Sequence, residues 1–159
     1  MVFAMSADQL SDLQNQTEGL SPEQLTAWAI AHIPGGAVVT TNFRPYEAVI
    51  LHMAAAIQPD IRVLWVDHGA NLPETYVFAE ACRVQLKLNI LPFVPQQTCA
   101  HWLALNGGTL PMPDEVERVE SFSRIMKLEP FERGMSELAP KVWITALRRE
   151  QNPQRAASL

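Results

Sequence analysis

The sequence predicts an α/β fold: three layers, built on a mainly parallel, twisted sheet of four or five strands. Two observations predict it. Four short runs, 37–41, 61–66, 88–94 and 141–147, are apolar and rich in β-branched residues, as in strands buried on both faces. Stretches of helical periodicity separate them, and strands alternating with helices form parallel sheets with right-handed crossovers and helices on both faces.

The elements follow in order. Ser6 to about Gln16 reads as a short polar helix with Ser6 as N-cap. Ser21-Pro22-Glu23-Gln24 is a stronger start signal, with Ser as cap, Pro at the first helical position and Gln at the third. Leu25, Trp28, Ala29 and His32 continue at helical spacing until Pro34-Gly35-Gly36 stops the helix. Ala37–Thr41 is the first strand. Pro45 opens the next helix, where Val49, Met53 and Ala56 form one apolar stripe, widened by Ile50 and Ile57.

Ile61–Val66 is the second strand and Asp67-His68-Gly69 the turn after it. A helix runs from about Pro73 to Leu86 with Val77, Ala81 and Val84 on one side, and Leu88–Val94 is the third strand. Residues 95–120 carry loop signals at Asn106-Gly107-Gly108 and Pro111-Met112-Pro113, followed by an acidic, solvated stretch from Asp114 to Glu120. Periodicity returns between Arg124 and Leu138, before the fourth strand. The whole reads as a single domain over 1–159, with 1–19 an N-terminal extension and 152–159 a flexible tail expected to fray.

The net charge of −5 argues against a general nucleic-acid binder. That charge is uneven: residues 1–123 hold 5 basic and 13 acidic side chains, whereas 124–159 hold 7 and 4. The last part is therefore locally positive and suits a small anion. Cys82 and Cys99 form no CxxC pair, which fits a reducing, cytoplasmic setting. Met1–Met5 is too short for a signal sequence, and no apolar run is long enough for a membrane span.

In such sheets ligands bind beyond the carboxyl ends of the strands, where strand order reverses. This brings together Thr40–Tyr46, Asp67–Leu72 and Ala146–Gln151. In the last segment an apolar run ends abruptly in Arg148 and Arg149, whose guanidiniums suit paired hydrogen bonds to phosphate or sulfate. The bland reading is two solvated charges at a strand end. Asp67 suits a ribose hydroxyl or the turn amides equally, and His68 either touches a ligand or covers the turn. Cys82 reads as a helix packing residue and Cys99 as a loop thiol. His68, Cys99 and His101 lack the spacing of zinc ligands, so no metal site is expected.

Val142-Trp143-Ile144-Thr145-Ala146-Leu147-Arg148-Arg149-Glu150-Gln151 resembles the W-I-T-G-L-R-R-E-Q segment of the phosphoadenosine phosphosulfate (PAPS) and adenosine phosphosulfate (APS) reductases. Pro59 to Gly69 is similar to that family's strand ending in D-T-G. Leu72-Pro73-Glu74-Thr75-Tyr76 is similar to its F-P-E-T-Y, and Lys127-Leu128-Glu129-Pro130 to its K-x-E-P. Gln151 to Ala156 continues the arginine segment as in the family. The resemblance covers about Leu20 to Ala156 and implies a fold of the adenine-nucleotide α-hydrolase-like (PP-loop) type with N-terminal helices. It also implies anion contacts from Arg148 and Arg149; Arg44, Asp67 and Gly69, read from the residues themselves, stand behind them.

Two departures qualify it. The family's phosphate loop resembles S-S-F-G, whereas this chain reads Thr41-Asn42-Phe43-Arg44-Pro45. Either the loop is a remnant that no longer cradles phosphate, which the bulk of Arg44 favours, or Arg44 remakes the anion site. The family's reductases also attack sulfur with the cysteine of a C-terminal E-C-G-L-H tail. Such a cysteine does not occur in these 159 residues, nor do the paired cysteines of an iron–sulfur cluster. The resemblance thus implies a PAPS-reductase-like protein of sulfur assimilation that binds PAPS, APS or an AMP-like nucleotide without stand-alone reduction and without a further cofactor. A reductase that takes its cysteine from elsewhere, and a non-catalytic homodimeric interaction module covering an open strand edge or its flanking face, remain the alternatives.

Overall fold

The computed structural model describes residues 6–146. Their elements run α1 (Ala7–Thr17), α2 (Pro22–His32), β1 (Ala37–Thr41), a 3₁₀ turn (Pro45–Glu47) and α3 (Ala48–Ile57), then β2 (Arg62–Val66), α4 (Pro73–Leu86) and β3 (Asn89–Phe93). After these come α5 (Cys99–Leu105), α6 (Val116–Ser123), a π-helical turn (Arg124–Leu128), α7 (Glu129–Leu138) and β4 (Val142–Ile144). Both predicted caps form. Ser6 and Gln9 close one capping box, and Ser21 and Gln24 close the other with Pro22 behind the cap.

The four strands make one parallel sheet in the order β3-β2-β1-β4. Alternation along β1 explains its two-sided burial. Ala37 and Val39, with Ile61 just before β2 and Val63 and Trp65 within it, pack under Ile30 of α2, Leu51 and Ala54 of α3, and Ala79 and Cys82 of α4. Val38 and Leu64 point the other way, with Phe93, against Phe131, Met135 and Leu138 of α7. Each such fully buried aliphatic contributes about 1.5–3 kcal/mol. The sheet therefore lies between two helical layers, as the sequence predicts. Helix α7 approaches it closely: a β-carbon on Gly134 would stand 2.8 Å from Leu64 Cδ1 and 3.0 Å from the Phe93 ring.

The structure corrects the helix faces. Val49 and Ala56 of α3 and Val77, Ala81 and Val84 of α4 are exposed, and the smaller Ala54, Ala79 and Cys82 face the sheet instead. In α2, Leu25 is exposed while Thr26 and Ile30 are buried, the Thr26 hydroxyl donating to the Pro22 carbonyl. Cys99 is not in a loop; it opens α5, which Thr98 caps by accepting from the His101 amide. The acidic stretch from Asp114 becomes helical from Val116.

The π-helical turn has a local cause. Pro130 has no N–H to donate four residues back and its ring crowds that carbonyl. The preceding Glu129 amide reaches Arg124 O instead, which is the π spacing. At the β3 edge, Pro92 interrupts the row of strand donors, a feature that discourages pairing with another strand. Among the described residues no helix is long and apolar enough to cross a membrane.

Candidate functional site

Strand order reverses between β1 and β4, because β2 and β3 lie on one side of β1 and β4 on the other. The crevice beyond the carboxyl ends of these strands is where an open α/β sheet holds a ligand. The loop after β1 and the turn after β2 both open there. The predicted segment after β4 begins there as well, but Arg148 and Arg149 lie outside the described residues.

The β1 loop is closed by its own side chains. Glu47 Oε2 accepts from the Thr41 hydroxyl at 2.8 Å and from the Asn42 amide at 2.6 Å. Thr41 Oγ1 accepts in turn from the Phe43 amide at 2.9 Å. Phe43 has φ +53°, a left-handed conformation costly for a bulky residue. It is held because its ring is buried, edge-on to Trp65 with centroids 5.0 Å apart. Arg44 has an ordinary extended backbone, φ −74° and ψ 146°, so no glycine is needed at that position. Its side chain is exposed and forms no hydrogen bond or ion pair with any described residue.

The β2 turn centres on Asp67. Its Oδ1 accepts from the Gly69 amide at 3.0 Å, Asn71 Nδ2 at 3.3 Å and the Tyr76 hydroxyl at 2.7 Å. Gly69 takes φ +70°. Burial pushes the Tyr76 phenol above its usual value, and the hydrogen bond to Asp67 adds to this. Tyr76 also meets Trp65 edge-on at 5.8 Å. Phe43, Trp65 and Tyr76 thus link the β1 loop to Asp67 through packed rings.

His68 is half-buried and accepts from the Ala70 amide through Nδ1. Burial holds it below the usual histidine range, Lys127 lowers it further, and Asp67 opposes both. The Lys127 ammonium lies 5.7 Å over the Phe122 ring, itself 5.9 Å from His68. Phe122 belongs to a third apolar cluster with Trp102 and Met126, against which Ala70 and Cys99 pack. Helices α5 and α6 and the π turn thereby wall one side of the crevice.

Of the predicted residues, Asp67 and Gly69 share one turn and Arg44 stands on the neighbouring loop. Glu47, Tyr76 and Lys127 were not singled out from the sequence. Lys127 and Tyr76 each had a signal, their places in the K-x-E-P and F-P-E-T-Y segments; Glu47 had none. Neither cysteine is activated, since Cys82 is buried, Cys99 half-buried, and burial raises both thiols. Among the described residues no group of three or more His, Cys, Asp or Glu is placed to hold a metal ion. A groove of about 470 Å³ lined by Trp28, His32 and Lys141 lies at the opposite end of the sheet, where β4 begins.

Comparison with known proteins bears on the fold and the family. Residues 36–158 match the model of the phosphoadenosine phosphosulfate reductase domain. The chain is 39% identical over 147 residues to the phosphoadenosine 5'-phosphosulfate reductase of Serratia proteamaculans, covering 92% of this chain and 59% of that one. It is 37% identical over 155 residues to the Xanthomonas euvesicatoria pv. vesicatoria enzyme, covering 98% and 64%. The chain thus spans about three-fifths of the length of these curated relatives. The phosphate complex of phosphoadenylyl-sulfate reductase from Candida auris superposes with a TM-score of 0.77 at 21% identity, covering 93% of this chain and 71% of that one. That likeness speaks for the fold alone. A parallel sheet with its order reversal beside β1, and a family match running from just before β1 almost to the end of the sequence, lead to one conclusion: the chain belongs to the phosphoadenosine phosphosulfate reductase family.

Proposed function

We infer that the crevice at the carboxyl ends of β1, β2 and β4 binds an adenylyl-sulfate-type nucleotide, PAPS, APS or an AMP-like analogue, in sulfate assimilation. The observation that carries this reading is Arg44, exposed beside the point where strand order reverses and with no side-chain hydrogen bond or ion pair among the described residues. A guanidinium there suits a phosphate or sulfate oxygen. On this reading Arg148 and Arg149 contact the anion, and Asp67 and Gly69 shape the turn against which the nucleoside lies.

Reduction of the sulfate group needs a thiolate able to reach sulfur. Cys82 is buried and Cys99 half-buried, and burial disfavours both thiolates. These 159 residues therefore serve binding, and a reducing thiolate comes from elsewhere if reduction occurs. The homodimer reading draws support from apolar side chains exposed on adjacent helices, Val49 on α3 and Val77 and Val84 on α4, and from Trp143 on β4, since such surface suits a partner.

Titration calorimetry with PAPS, APS, ATP and AMP tests the binding reading. Saturable heat with an adenylyl sulfate is expected, and no heat with any of the four sinks it. If Arg148→Ala binds as well as the parent, the placement of the site is wrong. A thioredoxin-coupled assay that releases sulfite from PAPS establishes stand-alone reduction. Sedimentation at several concentrations tests the dimer, which a concentration-independent monomer excludes.

A further inference from the structure

We propose that Glu47 is an internal anion, a specificity residue whose carboxylate occupies the β1 loop and excludes an external phosphate or sulfate from it. The inference deepens the reading of this crevice as an anion site, and rests on it for its biological use. In a loop that cradles phosphate, short side-chain hydroxyls and successive backbone N–H groups point at the ligand oxygens. Here three of these donors already have internal acceptors. The Thr41 hydroxyl and the Asn42 amide converge on one oxygen of Glu47, and the Phe43 amide is satisfied by Thr41 Oγ1. Pro45 has no N–H to offer.

The arrangement is anchored rather than incidental. Thr41 is buried at the end of β1, and Phe43 is 2% exposed in its left-handed conformation against Trp65. Turning the amides of 42 and 43 outward would pull that ring from the core. Glu47 is held from the other side, since it ends the 3₁₀ turn and leads directly into α3. A second anion brought to these amides would meet a carboxylate already hydrogen-bonded to them, and like charges at that separation repel. The charged donor that the loop presents outward is the Arg44 guanidinium, which has no hydrogen-bond or ion-pair partner among the described residues. Glu47 therefore moves the anion contact from the loop backbone to a side chain. A ligand's phosphate or sulfate is gripped at Arg44 and does not settle into the turn.

The test uses the full chain, inorganic phosphate as probe, and the Asn42 and Phe43 amide resonances in ¹⁵N-labelled protein. In the parent, phosphate should leave both resonances unmoved. In Glu47→Ala, both should shift saturably, with phosphate bound roughly tenfold more tightly, the factor expected when one charge-assisted competitor is removed. Glu47→Gln keeps an acceptor without the charge and should fall between the two; it also serves if the alanine variant folds poorly. Saturable movement of the Asn42 amide in the parent overturns the proposal. So does a folded Glu47→Ala that takes no phosphate at these amides. Phosphate binding by Glu47→Ala with no nucleotide heat in the parent keeps the role of Glu47 and removes the nucleotide reading. Nucleotide heat in the parent together with movement of its Asn42 amide on phosphate does the reverse.

Discussion

Replacing Asp67 with alanine should destabilise the fold by an amount that follows from three hydrogen bonds. All three end on Oδ1, from the Gly69 amide, Asn71 Nδ2 and the Tyr76 hydroxyl. They are not equal. Gly69 is exposed, so water replaces the lost acceptor, and the Asn71 contact at 3.3 Å is near the limit of a hydrogen bond. The Tyr76 hydroxyl, half-buried and only 2.7 Å away, loses most. One hydrogen bond to a charged acceptor contributes about 1.5–3 kcal/mol, so the total should be about 2 kcal/mol once the other two are discounted for solvation. For a chain of this size that lowers Tm by roughly 4–8 °C. Asp67→Asn keeps an acceptor and should lose about half as much.

The tyrosine supplies an independent readout. Because folding raises the Tyr76 value, the contribution of Tyr76 to stability is constant below the ordinary tyrosine value of 10.0. It declines above that value, as the unfolded chain releases its phenolic proton first. In a Tyr46→Phe background, ultraviolet titration should show Tyr76 moving down in Asp67→Asn. It should stay above the ordinary value, because burial, the larger cause, persists. An Asp67→Ala melt within about 0.5 kcal/mol of the parent, or an unmoved Tyr76 titration, would falsify the assignment of Asp67 as the hub of this turn.

Three further substitutions probe the frame. Gly134→Ala places a β-carbon 2.8 Å from Leu64 Cδ1 and 3.0 Å from the Phe93 ring; the overpacking exceeds the helix-propensity gain, and urea unfolding should show a net loss of about 1 kcal/mol. His68 has a lowered value in the folded chain, so stability is complete above the ordinary 6.5 and falls as pH drops below it. His68→Gln should flatten that part of the stability profile, and an unchanged slope would show that His68 charges freely in the fold. Arg62 donates to the Leu138 carbonyl at 3.0 Å and to Gly35 at 3.3 Å, tying the end of α7 to the turn before β1. Arg62→Met should cost about 1–2 kcal/mol in the same unfolding assay, and an unaltered midpoint would mean that these bonds contribute nothing net.

The sheet was legible because strands covered on both faces cannot hide. Val38-Val39 and Val63-Leu64 are apolar in consecutive pairs, one member for each helical layer, and no amphipathic surface helix has that pattern. Rotation of the helices was not legible in the same way. Helix α3 reads Ala48-Val49-Ile50-Leu51-His52-Met53-Ala54-Ala55-Ala56-Ile57 and is apolar almost all round. Periodicity then has no polar face against which to fix the phase. The larger side chains of α4 suggested the core, yet close packing on the sheet selected Ala79 and Cys82. Helix α5 has a start signal in Thr98, which caps Cys99-Ala100-His101-Trp102, but the expectation of a loop rests only on the glycine and proline signals that follow.

The β1 loop shows why the site was harder to read than the fold. Sequence comparison fixes attention on Arg44, standing where the family has glycine, and sterics then suggest a blocked loop. The backbone says otherwise: Phe43 carries the left-handed conformation and Arg44 an extended one. Closure comes from Glu47, whose partners lie five and six residues away across a 3₁₀ turn, a distance at which no periodicity rule operates. Asp67 does the equivalent for the β2 turn. One oxygen of each carboxylate at the mouth of the crevice is therefore taken by the loop that carries it, and the attractive charge for an anion comes from side chains. Of these, Arg44 and Lys127 are exposed. Exposed charges are screened within about 8–10 Å at physiological salt. Anion affinity at this crevice should accordingly weaken as salt rises, more steeply than in a loop whose backbone amides enclose the phosphate. Arg44→Ala should reduce that dependence along with the affinity itself, whereas a purely structural role for Arg44 would leave the salt slope where it was.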